Sequence, residues 1–253
     1  MSSELIRAEY HDQVAILRLN RGVTNALNLQ LVHELAESLQ RVRDDPALRG
    51  LVLGSSNDKF FSIGFDIPQL FELARNDFTS FYRAFNRVCL DLYTLPKPTI
   101  AAVTGHAIAG GCILALCCDY RFIAQGRKLM GLNEIHLGVP VPYLADCILG
   151  QIVGARDARE ITYKGEFHLP EALLQMGMVD GVLPLDQVMQ EAVKQAELLG
   201  ASPHEAFRMV KHNRVESVAA RIQEHIAEKE LFFIECWYSN EARERLREAL
   251  EKF

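Results

Sequence analysis

The stretch PTIAAVTGHAIAGGCILALCCDYRFIAQGRKLMGLNEIHLGVPVP, residues 98–142, decides the fold. Ile100 to Val103 is a short β-branched and alanine run entered through Pro96 and Pro98, which predicts a buried strand that Gly105 ends. Gly110-Gly111 follows, and the apolar segment from Cys112 to Cys118 has the length and spacing of a buried helix. The glycine pair therefore belongs at a helix start, where backbone N–H groups lack partners, the helix dipole is positive and no side chain keeps a ligand oxygen away. Such a corner binds anions or developing negative charge.

Working outward, a second glycine turn lies in Lys59-Phe60-Phe61-Ser62-Ile63-Gly64-Phe65-Asp66-Ile67, directly after a strand-like run from Gly50 to Gly54. Two such turns can supply two converging amides. The patterns F-x-x-G-x-D, G-H-A-x-x-G-G-C and G-L-N-E-x-x-L-G, taken together, resemble the crotonase superfamily, the enoyl-CoA hydratase/isomerase family, over nearly the whole chain. The resemblance implies an α/β fold, a crotonase-like spiral of ββα units with a C-terminal helical region. It divides the chain into a core over residues 1–200 and a C-terminal helical trimerisation region over 201–253. It also implies an oxyanion hole for an acyl-CoA thioester, with the N–H groups of Phe65 and Gly110 as donors. Coenzyme A contacts are expected from the loop at Asn25 and Ala26 and from Ile63, although Asn25 stands where related chains often carry lysine.

Glu134 is the candidate catalytic group. Flanked by apolar residues after the strand-like run from Leu129 to Leu132, it should be held rigidly and desolvated, conditions that raise a carboxyl pKa and suit a proton shuttle. From the pattern alone, an ion pair with Arg121 is an equal alternative; the resemblance favours catalysis, because Glu134 stands at the position of the isomerases' glutamate. Hydratases that resemble this chain carry a further glutamate three positions after the oxyanion glycine, where this chain has Ile113. Hydration needs two carboxylates, whereas double-bond migration can use one base twice; the phrase CDYRFIAQGRKLMGLNEIHLG resembles the Δ3,Δ2-enoyl-CoA isomerases. Another crotonase reaction, such as thioester hydrolysis or hydration, and a non-catalytic coenzyme A-binding subunit are the alternatives.

Other polar residues are assigned lesser roles. Asp66 should brace its turn, His106 and His136 should be core or rim residues, and Asp119 should pair with Arg121. No His, Cys and carboxylate set has metal-ligand spacing, so no metal is expected, and no cofactor beyond the coenzyme A of the substrate. Ser62 lacks the motif that places a base beside a nucleophilic serine.

Composition sets the outer bounds. Across 253 residues, 49% of them apolar, the chain can fill a substantial core. Its net charge of −6 argues against nucleic-acid or membrane-surface partners. The six cysteines lack paired CxxC spacing and read as small buried hydrophobes. The first residues show no signal or transit pattern, the last three are no peroxisomal address, and no long apolar run is present; a cytoplasmic protein, trimeric or hexameric by resemblance, is expected.

The remaining periodicities predict strands over Leu5–Tyr10 and Val14–Leu19 joined at His11-Asp12, and a helix over Leu29–Arg43. A further helix is expected over Asp77–Leu95, whose aromatics read as core or subunit contact. Leu144–Val153, Ala155–Tyr163 and Pro170–Met176 should be short helices, and Met178–Leu183 a strand. Ser202-Pro203-His204-Glu205 reads as a capping box opening a helix that ends near Asn213. Glu216 to Phe253 should be helical, broken at Ser239-Asn240, with Leu246, Leu250 and Phe253 on one stripe.

Overall fold

The computed structural model describes residues 4–251. A six-stranded sheet has the order β1-β2-β3-β5-β7-β9, made of Ile6–His11, Val14–Leu19, Gly50–Ser55, Thr99–Val103, Tyr120–Ala124 and Gly181–Leu183. The β1–β2 hairpin is antiparallel and every other neighbouring pair is parallel. A second sheet, β4-β6-β8, consists of Phe60–Ser62, His106–Ile108 and Met130–Gly131. Each of β3, β5 and β7 is followed at once by a strand of this small sheet, and helices then return the chain. That repetition is the spiral of ββα units. Strands β3 and β5 are buried at every residue, which explains why they read as continuous apolar runs rather than alternating ones.

One face of the large sheet packs on α1 (Leu29–Asp44), α3 (Arg75–Tyr93) and α4 (Gly110–Leu116). Asn28 caps α1, its side chain accepting the Leu31 N–H at 3.0 Å. The opposite face is covered by α7 (Leu185–Gly200), through Val188, Ala192, Val193 and Ala196 against Val14, Val52, Ile100 and Ala102. No helix is predicted over 185–200, although Leu185, Val188, Met189, Ala192, Val193, Ala196 and Leu199 recur at helical spacing. The glycines of β3 match this close approach: a Cβ on Gly50 would lie 3.2 Å from that of Ala196.

The C-terminal half needs two further corrections. The helix opening at His204 does not stop near Asn213; α8 runs unbroken over His204–Trp237, 34 residues, and Val215, Ala219 and Ile222 continue its buried stripe. Its cap position is Pro203, and no side-chain capping bond forms. The break at Ser239 is present: Ser239 Oγ accepts the Ala242 N–H at 3.2 Å and starts α9 (Asn240–Leu250). Ala242 and Leu246 are its buried residues, and Phe253 lies outside the described residues. Helix α5 (Tyr143–Lys164) bends at Gly154, φ 79°, where two helices are predicted.

Candidate active site

Glu134 reaches its place by a short sequence of constrained steps. Strand β8 ends at Gly131, where a Cβ would come within 2.5 Å of the Glu166 carbonyl oxygen; Leu132 is fully buried, and a 3₁₀ turn over Glu134–Leu137 follows. Gly138, at φ 74°, closes the turn against α9, with the Ala242 Cα 2.9 Å from any added Cβ. Glu134 is 5% exposed, and its carboxyl Oε2 is buried with no hydrogen-bond partner among the described residues. Burial pushes its pKa up to about 8, against a smaller opposing pull from its own backbone N–H. The alternative pairing with Arg121 does not form. Arg121 instead meets Asp180 at 3.2 Å and donates to the carbonyls of Met178 and Cys118.

Two turns share with this carboxyl the lining of a cavity of about 810 Å³, to which Glu134, Phe65, Gly110, Ile113 and Ile63 all contribute. In the first, Gly64 adopts φ 91°, and the adjoining bridge to Leu27 uses the Leu27 N–H to Gly64 O bond at 2.7 Å and the Asp66 N–H to Leu27 O bond at 2.9 Å. That alternation turns the intervening Phe65 N–H away from Leu27. In the second, Ala109 takes φ 47°, ψ −117°, a conformation a non-glycine residue adopts only where its surroundings enforce it, and α4 begins at Gly110. The first intrahelical bond is from Ile113 N–H to Ala109 O, so the Gly110 N–H precedes the ladder. Neither the Phe65 nor the Gly110 N–H has a protein partner among the described residues. The turns touch: a Cβ on Gly64 would lie 2.9 Å from the Gly110 nitrogen. Ile113 is fully buried one turn further along α4.

Asp66 caps the short helix α2 (Ile67–Phe71) through the Gln69 N–H at 3.1 Å and pairs with Arg21 at 2.6 Å, which is the bracing expected of it. Phe78, Phe81 and Phe85 are fully buried core residues behind the site; Phe65 meets Phe81 and Phe85 edge-on at 4.9 Å. His106 and His136 stand on the cavity lining.

Three expectations are corrected. Asn25 is fully buried at φ 47°, and its side chain donates to Ser55 Oγ and Phe61 O while accepting the Arg21 N–H at 2.8 Å. That amide is engaged by protein and cannot reach a ligand. Ala26 is also buried, its carbonyl taken by Arg21 at 2.7 Å, and Thr24 is the residue of this loop that lines the cavity. Second, Asp119 pairs with Lys211 at 2.7 Å rather than with Arg121. Third, His11, Asp12 and Glu197 do gather with ligand atoms within 4.8 Å of one another, unseen in the sequence because Glu197 is so distant along the chain. His11 and Asp12 stand on the β1–β2 turn and Glu197 on α7, and none of the three lines the cavity.

Sequence reasoning also passed over Phe233, Trp237 and Arg245, which wall the cavity from the ends of α8 and α9. Trp237 stacks on Phe78 at 4.3 Å and Phe233 on Tyr82 at 4.1 Å. Their apolar spacing reads as core, and nothing local marks them as bordering a site 100 residues earlier in the chain.

Comparison with known proteins agrees with this fold. Residues 9–253 match the family model for enoyl-CoA hydratase/isomerase. Mouse mitochondrial enoyl-CoA delta isomerase 1 is 33% identical over 189 residues, 74% of this chain; the chain spans about two thirds (65%) of that relative's length. A crotonyl-CoA hydratase of Syntrophomonas wolfei is 29% identical over all of this chain and 97% of its own. The crystal structure of human mitochondrial Δ3,Δ2-enoyl-CoA isomerase superposes with a TM-score of 0.94 at 28% identity, covering 98% of this chain and 97% of that one. The chain belongs to the enoyl-CoA hydratase/isomerase family.

Proposed function

We propose that this protein is a Δ3,Δ2-enoyl-CoA isomerase that moves a double bond with Glu134 as its one proton carrier. The observation that carries the reading is the pairing of Glu134 with Ile113: the place where a second carboxylate would serve hydration holds a buried aliphatic side chain on the cavity wall. The other carboxylate on the lining among the described residues, Glu248, is exposed on α9.

In this reading ionised Glu134 removes a proton from C2 of a 3-enoyl thioester. The electron pair moves to the thioester oxygen, giving a dienolate, and the Phe65 and Gly110 amides receive that charge; each such donor is worth about 3 kcal/mol in the transition state. Glu134, now a carboxylic acid, returns the proton to C4, the double bond settles between C2 and C3, and the enzyme is restored. A carboxyl poised near pH 8 suits both halves, since it is a stronger base than an ordinary glutamate and still an adequate acid. Ile113 keeps water from the reacting carbons.

Incubating the protein with a 3-enoyl-CoA should yield the conjugated 2-enoyl-CoA, and a 2-enoyl-CoA should yield little 3-hydroxyacyl-CoA. Efficient hydration would overturn the isomerase reading in favour of the hydratase, and release of free coenzyme A would indicate thioester hydrolysis. The proposed assembly is a homotrimer or a pair of trimers, built on residues 201–253; a monomeric mass by light scattering would refute it.

A further inference from the structure

Helices α3 and α8 pack antiparallel in rungs about one turn apart. Trp237 stacks on Phe78 at 4.3 Å and Phe233 on Tyr82 at 4.1 Å; at the next rung Asn86 Nδ2 donates to Glu230 Oε1 at 3.0 Å. Arg83, also on α3, approaches the other oxygen of this carboxylate at 3.3 Å. Both members of the polar rung stand on stripes that are otherwise apolar. Glu230 is 8% exposed, in line with Ile222, Phe233, Ile234 and Trp237 of α8. Asn86 is 2% exposed, in line with Phe78, Tyr82 and Cys89 of α3.

Desolvating a carboxylate is costly, and well-packed apolar side chains in its place are often neutral or stabilising, so cohesion between the two helices does not call for Glu230. What apolar side chains lack is direction. Rings stack in many offsets, and α3 presents buried aromatics at Phe78, Phe81, Tyr82 and Phe85, so stacking alone specifies the register of α8 loosely. A hydrogen bond between buried groups does not survive a slip of one turn, about 5.4 Å, and its loss leaves the buried Asn86 amide without its acceptor. The register matters at the site. Helix α3 backs the Phe65 turn, because Phe81 and Phe85 meet the Phe65 ring edge-on, while Phe233 and Trp237 of α8 wall the cavity. The seat of α8 on α3 therefore sets how far that wall stands from the turn.

We propose that Glu230 is a positioning residue: through Asn86 it fixes the register of α8 on α3 and so holds Phe233 and Trp237 as the cavity wall at a set distance from the Phe65 turn. The kinetic half of the test rests on the isomerase reading. The spectroscopic half does not, because Trp237 is the chain's one tryptophan and its emission reports on the wall without turnover. Wild type is compared with Glu230→Gln, which keeps an oxygen to accept from Asn86, with Glu230→Asp, which withdraws that oxygen by one methylene, and with Asn86→Leu/Glu230→Met, which makes the rung apolar. Emission wavelength, acrylamide quenching, Tm and kinetics with a 3-enoyl-CoA are measured for each. The apolar variant should keep or raise Tm, yet shift emission to longer wavelength, quench more readily, and raise KM about tenfold with kcat within about threefold. Glu230→Asp should move emission and KM in the same direction, and Glu230→Gln should keep wild-type emission and a KM within about twofold. Wild-type emission and KM in the folded apolar variant, or in Glu230→Asp where the apolar variant does not fold, would overturn the proposal. So would a Glu230→Gln protein as disturbed as the apolar one. A wild type inactive on 3-enoyl-CoA, with emission shifting among the variants as expected, would sink the assigned reaction and leave the positioning role standing.

Discussion

Glu134 is held where its charge is costly, and that cost can be measured separately from its use. Its folded pKa of about 8 lies above the ordinary value of 4.5, so between those pH values the folded chain holds a proton that the unfolded chain releases. Stability therefore falls as pH rises from about 4.5 to about 8 and is level above that. Glu134→Gln should have a higher Tm than wild type at pH 8.5, a difference that shrinks toward pH 5, while kcat falls about a hundredfold or more. A scan of Tm against pH for both proteins checks this; parallel curves would show that the carboxyl is not desolvated. The same group must be ionised to act as a base, so kcat/KM should rise about tenfold per pH unit below pH 8 and then flatten. Ile113 supplies the complementary prediction. Ile113→Glu places a second carboxyl on the cavity wall, and 3-hydroxyacyl-CoA formation from a 2-enoyl-CoA should appear above the wild-type level, with some loss of stability from burying a polar group. No gain in hydration would show that residue 113 does not decide between the reactions.

At the scale of elements, the proposed oxyanion corner depends on α4 lying flush against β4. A Cβ on Gly111 would sit 2.3 Å from the Ser62 carbonyl oxygen and 2.8 Å from its Cβ, and backbone cannot swing aside as a side-chain tip can. Gly111→Ala should push α4 from β4, separate the Phe65 and Gly110 amides, and lower kcat/KM by about 3 kcal/mol or more together with Tm. Wild-type kinetics in that variant would show that the corner tolerates separation. This corner was legible in sequence because strand, glycine turn and helix are local and each leaves its own periodicity. Helix α7 was legible too, in Leu185, Val188, Met189, Ala192, Val193 and Ala196 at helical spacing; what the sequence did not show is that its alanines approach the glycines of β3 closely. The false stop near Asn213 has another cause: the polar run His212-Asn213-Arg214 looks like a boundary, but in a helix of 34 residues those side chains occupy the outer face while Val215 and Ala219 continue inward. Asn25 was assigned to the ligand by resemblance alone, and only the fold shows its amide braced between Ser55 and Phe61.

Across the whole molecule, α8 joins regions that no sequence window spans. Near its start Lys211, buried, bonds Asp119 at 2.7 Å and the Lys97 carbonyl at 2.9 Å, fastening the helix to the end of the large sheet; near its finish Phe233 and Trp237 wall the cavity. Lys211→Met removes the cation beside the Asp119 carboxylate, which keeps only the Thr99 N–H and hydroxyl as donors, and should cost about 3 kcal/mol of stability by denaturant titration. Activity per folded molecule should hold within about twofold, because Lys211 lines no part of the active cavity. A large fall in kcat with stability unchanged would reveal a role for the pair beyond fastening. The cavity's residues run from Thr24 to Ala249, and this ordering matters during synthesis. A chain emerging from the ribosome presents the turns at Gly64 and Gly110 and the residue Glu134 long before α8 and α9 exist. The turn that carries Glu134 packs on Ala242 of α9, so the cavity is closed only by the last helices to leave the ribosome.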